Sequence, residues 1–282
     1  MVDVAARRAA FRELHRAGCF VIPNPWDRGS AIYLAHLGFR ALASSSAGHA
    51  FAQGLPDRVS ALSCDRVLDH LRELVAATEL PVSADFQSGY ADDAAGVAEN
   101  VTRCVATGVA GLSIEDATGD PARPLFAVPD AIERIRAARA AIDATGCDVL
   151  LTARSECFLV GHPEPLAEST RRLRAYAEAG ADVLFAPGLR ERTAIQVVVD
   201  AVAPKPLNVL IGGPTQLRVR DLAELGVRRV SVGSALARVA WTAFMRAARS
   251  IAQQGEFFAF EDIASTGQLS DLFQSRPDSA HR

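Results

Sequence analysis

Three short stretches of the sequence end an apolar run in charged side chains. They are SADFQ, SIED and ARSE, which contain Asp85, Glu115 and Arg154. Carboxylates without histidine or cysteine nearby are oxygen ligands of the kind that hard divalent cations prefer, with Mg²⁺ ahead of Mn²⁺. An unpaired carboxylate inside a protein carries a large desolvation penalty, so several acids in one place indicate a cation among them. We therefore expect Asp85 and Glu115 to bind Mg²⁺.

These charged residues follow strand-like segments that alternate with helix-like segments. Eight apolar runs are predicted as strands, at 20–25, 41–46, 81–86, 111–116, 149–155, 182–188, 207–213 and 227–234. Apolar residues recur every three or four positions between them, which predicts helices most clearly at 61–79, 91–107, 129–143, 165–179, 190–202 and 215–225. Because parallel neighbours need a helical crossover, eight such repeats predict an α/β fold of the (β/α)8 TIM-barrel type.

A doubly wound open sheet is the main alternative to the barrel. No G-x-G-x-x-G follows the first strand, which disfavours a Rossmann fold and an NAD-linked oxidoreductase. The chain has no linker rich in proline, glycine or serine, so residues 1–282 are predicted to form one domain. Residues 235–275 are expected to be a C-terminal helical extension that includes an amphipathic piece at 260–274. The polar tail beyond about residue 275 is expected to be loose.

Composition excludes several classes of function. The net charge of −3 gives no basic surplus for a nucleic acid partner. No apolar stretch approaches the roughly 20 residues that span a bilayer, and the N-terminus lacks a signal-peptide core, so a cytoplasmic protein without a membrane partner is expected. The 5 cysteines are scattered without a C-x-x-C pair, which indicates reduced thiols rather than disulfides or a zinc site.

In a parallel barrel the carboxyl ends of all strands open on one face, which carries the chemistry. Polar residues predicted at that face include Asn24, Ser44 to Ser46, Gln87 and Asn208. The ordinary alternative is that the acids cap helices at strand-to-helix turns. The joint presence of Asp85, Glu115 and Arg154 on three consecutive strands favours a metal site instead. Asp116 and Glu156 are expected to be supporting or capping residues.

Five motifs in chain order resemble the isocitrate lyase / phosphoenolpyruvate mutase superfamily. They are ASSSAGHAFAQGLPD (43–57), SADFQSGY (83–90), GLSIEDATGD (111–120), LLTARSE (150–156) and PLNVL (206–210). The resemblance runs over about residues 18–250. It implies a barrel enzyme that binds Mg²⁺ and a small 2-oxo acid, and that stabilises an enolate-like species while a C–C or P–C bond is made or broken.

The resemblance also implies a metal site residue by residue. Asp85 matches the direct metal ligand of the superfamily, and Glu115 and Asp57 match acids that hold metal-bound water. The second acid of the usual D-x-D is Gln87 here, which keeps an oxygen but loses a charge. The resemblance therefore implies a Mg²⁺ site that the glutamine weakens.

A second set of residues is implied to bind substrate. Arg154 matches the arginine that binds the substrate carboxylate or phosphonate, for which a planar guanidinium supplies two parallel donors. Ser45, Ser46 and Ala47 match the loop that holds the carboxylate of the oxo acid. Asn208 is a further candidate, because it could reach the barrel interior from the seventh strand.

The loop at 117–127 departs from two branches of the superfamily. Residues 116–128 contain no cysteine, lysine or histidine, which makes a classical isocitrate lyase improbable. They also lack the lysine and asparagine expected of a phosphoenolpyruvate mutase, so P–C bond chemistry comes second. The leading expectation is a Mg²⁺-dependent lyase acting on an oxaloacetate-like acid, and a non-catalytic 2-oxo acid binding protein is the third. The loop is the candidate lid, and Arg123 could close over an anion.

The superfamily also implies an oligomer. Its final helix swaps between neighbouring barrels in a dimer of dimers. A homodimer or homotetramer is therefore expected, in which residues 235–275 pack on another subunit. Two residues near the site, His49 and Tyr90, are weaker candidates, because a lone histidine or a rim aromatic more often packs than reacts.

Overall fold

A computed structural model describes residues 3–59 and 61–274. The strands that form its sheet are β1 Phe20–Ile22, β2 Leu42–Ala43, β3 Val82–Asp85, β4 Gly111–Glu115, β5 Leu150–Arg154, β6 Val183–Phe185, β7 Leu207–Leu210 and β8 Arg229–Ser231. All pair in parallel in the order β1-β8-β7-β6-β5-β4-β3-β2. The N–H of Ala43 donates to the carbonyl of Pro23 at 3.1 Å, which brings β2 back to β1. The predicted (β/α)8 barrel is thus confirmed as a nearly closed barrel.

Helices alternate with these strands. They are α1 Val4–Leu14, α2 Arg28–His36, α3 Ser46–Ala52, α4 Cys64–Ala77, α5 Ala94–Val105, α6 Val128–Ala144, α7 Pro165–Glu178, α8 Arg192–Val202, α9 Val219–Glu224, α10 Ala235–Gln254 and α11 Thr266–Gln274. Side chains of Asp27, Ser45, Ser63 and Asp93 accept the first free N–H groups of α2 to α5, which explains where these helices begin. The piece predicted at 260–274 is a 3₁₀ turn, Phe258–Phe260, followed by α11.

Residues on the strands alternate between two environments with a period of two. Leu112, Ile114 and Leu151 are buried in the apolar layer between the sheet and the helices. Inward-facing positions are small and polar, and they include Ser83, Ser113, Thr152, Asn208 and Ser231. Because small side chains leave the barrel interior partly unfilled, a cavity can extend down from the mouth.

Helix α1 closes the opposite end of the barrel. Phe11 is fully buried and packs with Phe20 and Ile22. A Cβ at Gly111 would approach the Phe11 ring to 2.7 Å, so glycine is required at this inward position. Arg8 holds the helix in place by donating to the carbonyls of Val105 and Val109. The interior is therefore accessible from the carboxyl ends of the strands.

The C-terminal helices contribute little to the barrel. Within α10, Ala237 is the buried residue, whereas Val239, Phe244 and Met245 are exposed. None of the helices in residues 3–59 and 61–274 is both long and apolar enough to cross a membrane. The predicted loose tail beyond 275 lies outside the described residues.

Candidate active site

The loop after β2 holds the end of β3. The backbone N–H and the hydroxyl of Ser46 donate to Oδ2 of Asp85 at 2.9 and 2.8 Å. The N–H of Asp85 donates to Oγ of Ser44 at 2.8 Å. Ser45 caps α3 instead, because its Oγ accepts from the N–H of Gly48 at 3.1 Å. The three serines thus fix Asp85 and the start of α3 together.

Arg154 lies between the acids that the sequence predicts at the barrel mouth. Its Nη1 is 3.6 Å from Oδ1 of Asp85 and 3.3 Å from Oε2 of Glu115. Its Nε pairs with Oε1 of Glu156, and its guanidinium stacks over the ring of Phe185. The expected convergence of Asp85, Glu115 and Arg154 is confirmed as geometry, and a guanidinium compensates the carboxylates here.

Burial strongly affects the acids of this cluster. Burial raises the pKa of Glu115 well above its usual range, and Arg154 partly offsets the rise. The pKa of Asp57 is raised by burial and by the charge of Asp85. Burial also raises the pKa of Glu156, against the pull of Arg154. A cation added to this cluster would stabilise the charged forms and lower these pKa values.

A buried hydrogen-bond network centred on Asp116 supports Glu156. Oδ1 of Asp116 accepts from the N–H of Glu156 at 2.8 Å. Oδ2 of Asp116 accepts from the hydroxyl of Tyr176 at 2.7 Å and from Nη1 of Arg172 at 3.1 Å. Asp116 caps none of the described helices, so its geometry fits the supporting role expected from the sequence.

A cavity of 190 Å³ opens at the carboxyl ends of the strands. Its walls include most of the predicted site residues: Ser45, Ser46, Ala47, Asp57, Asp85, Arg154 and Asn208. Glu115 is not part of these walls and lies behind Arg154. Asn208 uses its amide within the protein, because Oδ1 accepts from Nε of Arg229 and Nδ2 donates to Oγ of Ser231, both at 2.9 Å. One amide hydrogen of Asn208 takes no part in these two contacts.

The oxygen donors of the site suit a hydrated magnesium ion. Oδ1 of Asp85 is buried without a hydrogen-bond partner, and so is Oε1 of Gln87. In the described part of the chain, no group of three or more His, Cys, Asp or Glu side chains is arranged to hold a metal. Mg²⁺ commonly binds to one or two carboxylates and keeps several waters, so it needs no such cage. Asp85 fits a direct ligand and Asp57 lines the same cavity, whereas Glu115 lies outside the cavity wall and pairs with Arg154.

The loop after β3 has an unusual backbone. Gln87 and Tyr90 adopt left-handed φ values of +45° and +54°, which non-glycine residues rarely do. Arg134 compensates by donating to the carbonyls of Ser88, Ala91 and Asp92. Gln87 and Tyr90 line a second, larger cavity of 860 Å³ beside the mouth. Such outliers concentrate at functional sites, and this one sets the direction of Gln87.

The predicted lid at 117–127 forms a small ordered hairpin. Ala117 and Leu125 form an antiparallel bridge, and the N–H of Thr118 donates to the carbonyl of Pro124 at 3.0 Å. Gly119 packs against Val59, which a Cβ at this glycine would approach to 2.8 Å. The hairpin thus rests on the loop that carries Asp57.

Two of the weaker candidates lie outside the 190 Å³ cavity. The side chain of Arg123 is 85 % exposed and pairs with Asp120 at 3.6 Å. His49 is buried and stacks on His70, with ring centroids 3.8 Å apart. The geometry of His49 therefore matches packing.

Two residues of the cavity wall, Asn24 and Arg229, were not assigned their full role from the sequence. Asn24 ties three strands together, since its Nδ2 donates to the carbonyl of Ser44 and its Oδ1 accepts from the N–H groups of Val232 and Gly233. Arg229 was missed. The available signal was a charged residue at an inward position of the strand-like run VRRVSVGS.

The chain matches proteins of known family over most of its length. The family described as Phosphoenolpyruvate phosphomutase matches residues 11–252. The chain is 31% identical to 2-methylisocitrate lyase of Shewanella oneidensis, covering 80% of this chain and 78% of that one. It is 29% identical to oxaloacetate decarboxylase of Paraburkholderia xenovorans, covering 81% and 75%.

One similar solved structure covers nearly the whole chain. It is a protein from Burkholderia cenocepacia J2315 whose name is no more specific than lyase/mutase, with 44% identity and a TM-score of 0.93. The two chains are covered to 97% and 98%. The family match covers residues 11–252, and the barrel and the cluster of acids around Arg154 agree with it. The chain therefore belongs to the phosphoenolpyruvate phosphomutase family and is an enzyme of the isocitrate lyase / phosphoenolpyruvate mutase superfamily.

Proposed function

We propose that this enzyme is a Mg²⁺-dependent lyase that breaks a C–C bond in a small 2-oxo carboxylic acid of the oxaloacetate type. The observation that carries the proposal is the position of Arg154 Nη1, 3.6 Å from Asp85 and 3.3 Å from Glu115 at the mouth of the cavity. In this proposal, the guanidinium of Arg154 binds a substrate carboxylate while the neighbouring acids, Asp85 and Glu115, serve a metal.

In this proposal, different residues bind the metal and the substrate. Asp85 would hold Mg²⁺ directly, and Glu115 and Asp57 would hold its water. Mg²⁺, or Mn²⁺ in its place, supplies Lewis-acid stabilisation of the negative charge that develops on the substrate as the bond breaks. Arg154 anchors the substrate anion through parallel N–H donors, and its fixed pairing with Glu156 keeps the guanidinium oriented.

The serine loop is the second part of the substrate site. Ser45, Ser46 and Ala47 line the cavity where α3 begins, and in this proposal the loop contacts a carboxylate of the oxo acid. The N–H of Ser46 takes no part in that contact, because it donates to Asp85. The hairpin at 117–127 lines the neighbouring 860 Å³ cavity, and in this proposal it would close over the mouth and limit side reactions of the carbanionic product with water.

Two similar proteins support C–C bond cleavage or decarboxylation. One is named a 2-methylisocitrate lyase and the other an oxaloacetate decarboxylase. The small cavity favours the smaller acid, since 190 Å³ leaves little room for a branched tricarboxylate beside a hydrated ion. A cytoplasmic location remains a prediction.

A second candidate is P–C bond chemistry on a phosphonopyruvate-like acid. It is favoured by the family match itself, which carries the name of a phosphomutase. The hairpin at 117–127 offers Arg123 as its cationic side chain and no lysine or asparagine. Decarboxylation therefore comes first.

The experiment is a metal-dependent turnover assay of Asp85→Asn. Oxaloacetate, methylisocitrate and phosphonopyruvate are each supplied with and without Mg²⁺, and CO₂, pyruvate and phosphate are measured. Asp85→Asn is expected to abolish the Mg²⁺-dependent part of the rate. The matched control is Asp69→Asn, an exposed acid on α4 that pairs only with Arg72 among the described residues. Full activity in Asp85→Asn would refute the assignment.

A further inference from the structure

Arg229 is a buried cation on the floor of the cavity. It is the first residue of β8, and its side chain crosses the barrel interior. Nε donates to Oδ1 of Asn208 at 2.9 Å, and Nη2 donates to Oγ1 of Thr152 at 3.1 Å. Nη1 lies 3.4 Å from Nε2 of His15 at the end of α1. These contacts place Arg229 toward the closed end of the barrel, whereas Arg154 stands at its mouth.

The partners of Arg229 are neutral. Nδ1 of His15 lies 2.8 Å from the carbonyl of Phe11 and must carry the hydrogen, which leaves Nε2 as an acceptor for Arg229. Burial and the nearby charge of Arg229 lower the pKa of His15 to about 3, so the imidazole is uncharged at neutral pH. Burial lowers the pKa of Arg229 to about 9, which still leaves the guanidinium charged. Over residues 3–59 and 61–274, no carboxylate pairs with it.

An uncompensated buried charge is expensive, and native proteins rarely keep one without a use. Other buried arginines of this chain have compensating acids or carbonyls: Arg172 pairs with Asp116, and Arg154 pairs with Glu156. Arg229 differs from both because its partners are neutral and the residue lines an open cavity. An anion that enters the cavity would supply the missing countercharge.

We propose that Arg229, together with Ser231 and the free amide hydrogen of Asn208, forms a second anion subsite at the floor of the cavity. It receives the anionic group of the substrate that Arg154 does not hold, so the enzyme prefers dianionic acids over monoanionic ones. The inference rests on the proposed function, since it concerns the substrate of the same cavity. Two cations at opposite ends also fix the direction in which the acid lies.

The test compensates the charge of Arg229 by a substitution at His15, so that no residue of the cavity wall is changed. His15 contacts Arg229 but does not line the cavity. His15→Glu places a carboxylate against the guanidinium, and His15→Gln is the matched neutral control. Binding of malate and lactate, which differ by one carboxylate, is measured by calorimetry with saturating Mg²⁺ at pH 7.5. Thermal unfolding verifies that each variant folds.

The wild-type protein and His15→Gln are expected to bind malate more tightly than lactate. His15→Glu is expected to lose roughly tenfold in malate affinity and less than about twofold in lactate affinity. If His15→Glu does not fold, Arg229→Lys and Arg229→Gln replace the pair, and only the glutamine variant should lose the preference. An unchanged ratio of malate to lactate affinity overturns the subsite. If the wild-type protein binds neither malate nor lactate, the proposed function is overturned instead.

Discussion

Both donors of Ser46, its backbone N–H and its hydroxyl, point to the same oxygen of Asp85, at 2.9 and 2.8 Å. The other oxygen, Oδ1, remains buried without a hydrogen-bond partner. Oδ1 lies 3.6 Å from Nη1 of Arg154, and in the proposed function it is the oxygen of Asp85 that would bind Mg²⁺.

Removing the Ser46 hydroxyl should weaken the metal site. In Ser46→Ala, Asp85 keeps the backbone donor but loses the side-chain one, so the carboxylate is less well fixed. We expect Mg²⁺ affinity, measured by calorimetry, to fall about tenfold, the usual scale for an outer-shell contact. Ser30→Ala, which removes a helix-cap hydroxyl at the start of α2, should lower stability without changing Mg²⁺ affinity. Equal affinities in all three proteins would contradict this role of Ser46.

The hairpin at 117–127 should depend on Gly119. Its φ is +79°, and an added Cβ would meet Val59 at 2.8 Å. Gly161 has a similar φ of +70° but open space around it, so Gly161→Ala carries the backbone strain alone. We expect faster hydrogen exchange at 117–127 and a lower turnover rate in Gly119→Ala only. If hydrogen exchange at 117–127 is the same in Gly119→Ala and Gly161→Ala, the contact with Val59 does not hold the hairpin.

Stability should fall in mild acid because of His70. Burial and the adjacent His49 lower its pKa to about 3, whereas an unfolded histidine titrates near pH 6.5. Between these values the unfolded state binds the extra proton, so the free energy of unfolding decreases as pH falls through that range. In His70→Phe the stack on His49 is kept and this proton is removed.

Chemical denaturation at pH 7.5 and pH 5.5 measures the effect of His70. Relative to the wild-type protein, His70→Phe should gain about 1 kcal/mol on going to the lower pH. Parallel loss of stability in both proteins would assign the acid sensitivity to other groups.

The exposed apolar face of α10 should form a subunit interface. Trp241 and Phe244 contact each other edge to face and remain 37% and 61% exposed. We expect a homodimer or homotetramer by light scattering, and Phe244→Glu should shift it toward the monomer because a charge is costly in an apolar contact. Val197→Glu, at a 49% exposed position on α8, is the control and should leave the assembly unchanged. A monomeric wild-type protein would contradict the predicted oligomer.

Much of the fold could be predicted from the sequence because its signals are local. The alternation of apolar runs with helical periodicity predicted all eight strands, each longer than observed by one to five residues. Strands shorten because their ends must turn into loops, as at Phe185, after which Ala186 and Pro187 leave the sheet. Helices α2 and α3 were not among the clearest predictions, since their apolar residues do not form one regular stripe.

The site was only partly predictable, since its contacts depend on side chains far apart in sequence. Asp85, Glu115 and Arg154 could be brought together because parallel strand ends share one face. Nothing local indicated that Ser46 would donate to Asp85, 39 positions away, or that Arg229 would reach His15, 214 positions away. Inward polar residues in β8 were the signal that could have pointed to the cavity floor.

The most direct test is a crystal structure of the enzyme grown with Mg²⁺ and oxalate, a mimic of the enol form of pyruvate. We predict that the ion binds Oδ1 of Asp85, with waters held by Glu115 and Asp57, and that oxalate contacts both the ion and Arg154. Mg²⁺ bound away from Asp85, or oxalate bound without Mg²⁺ in the cavity, would contradict the account.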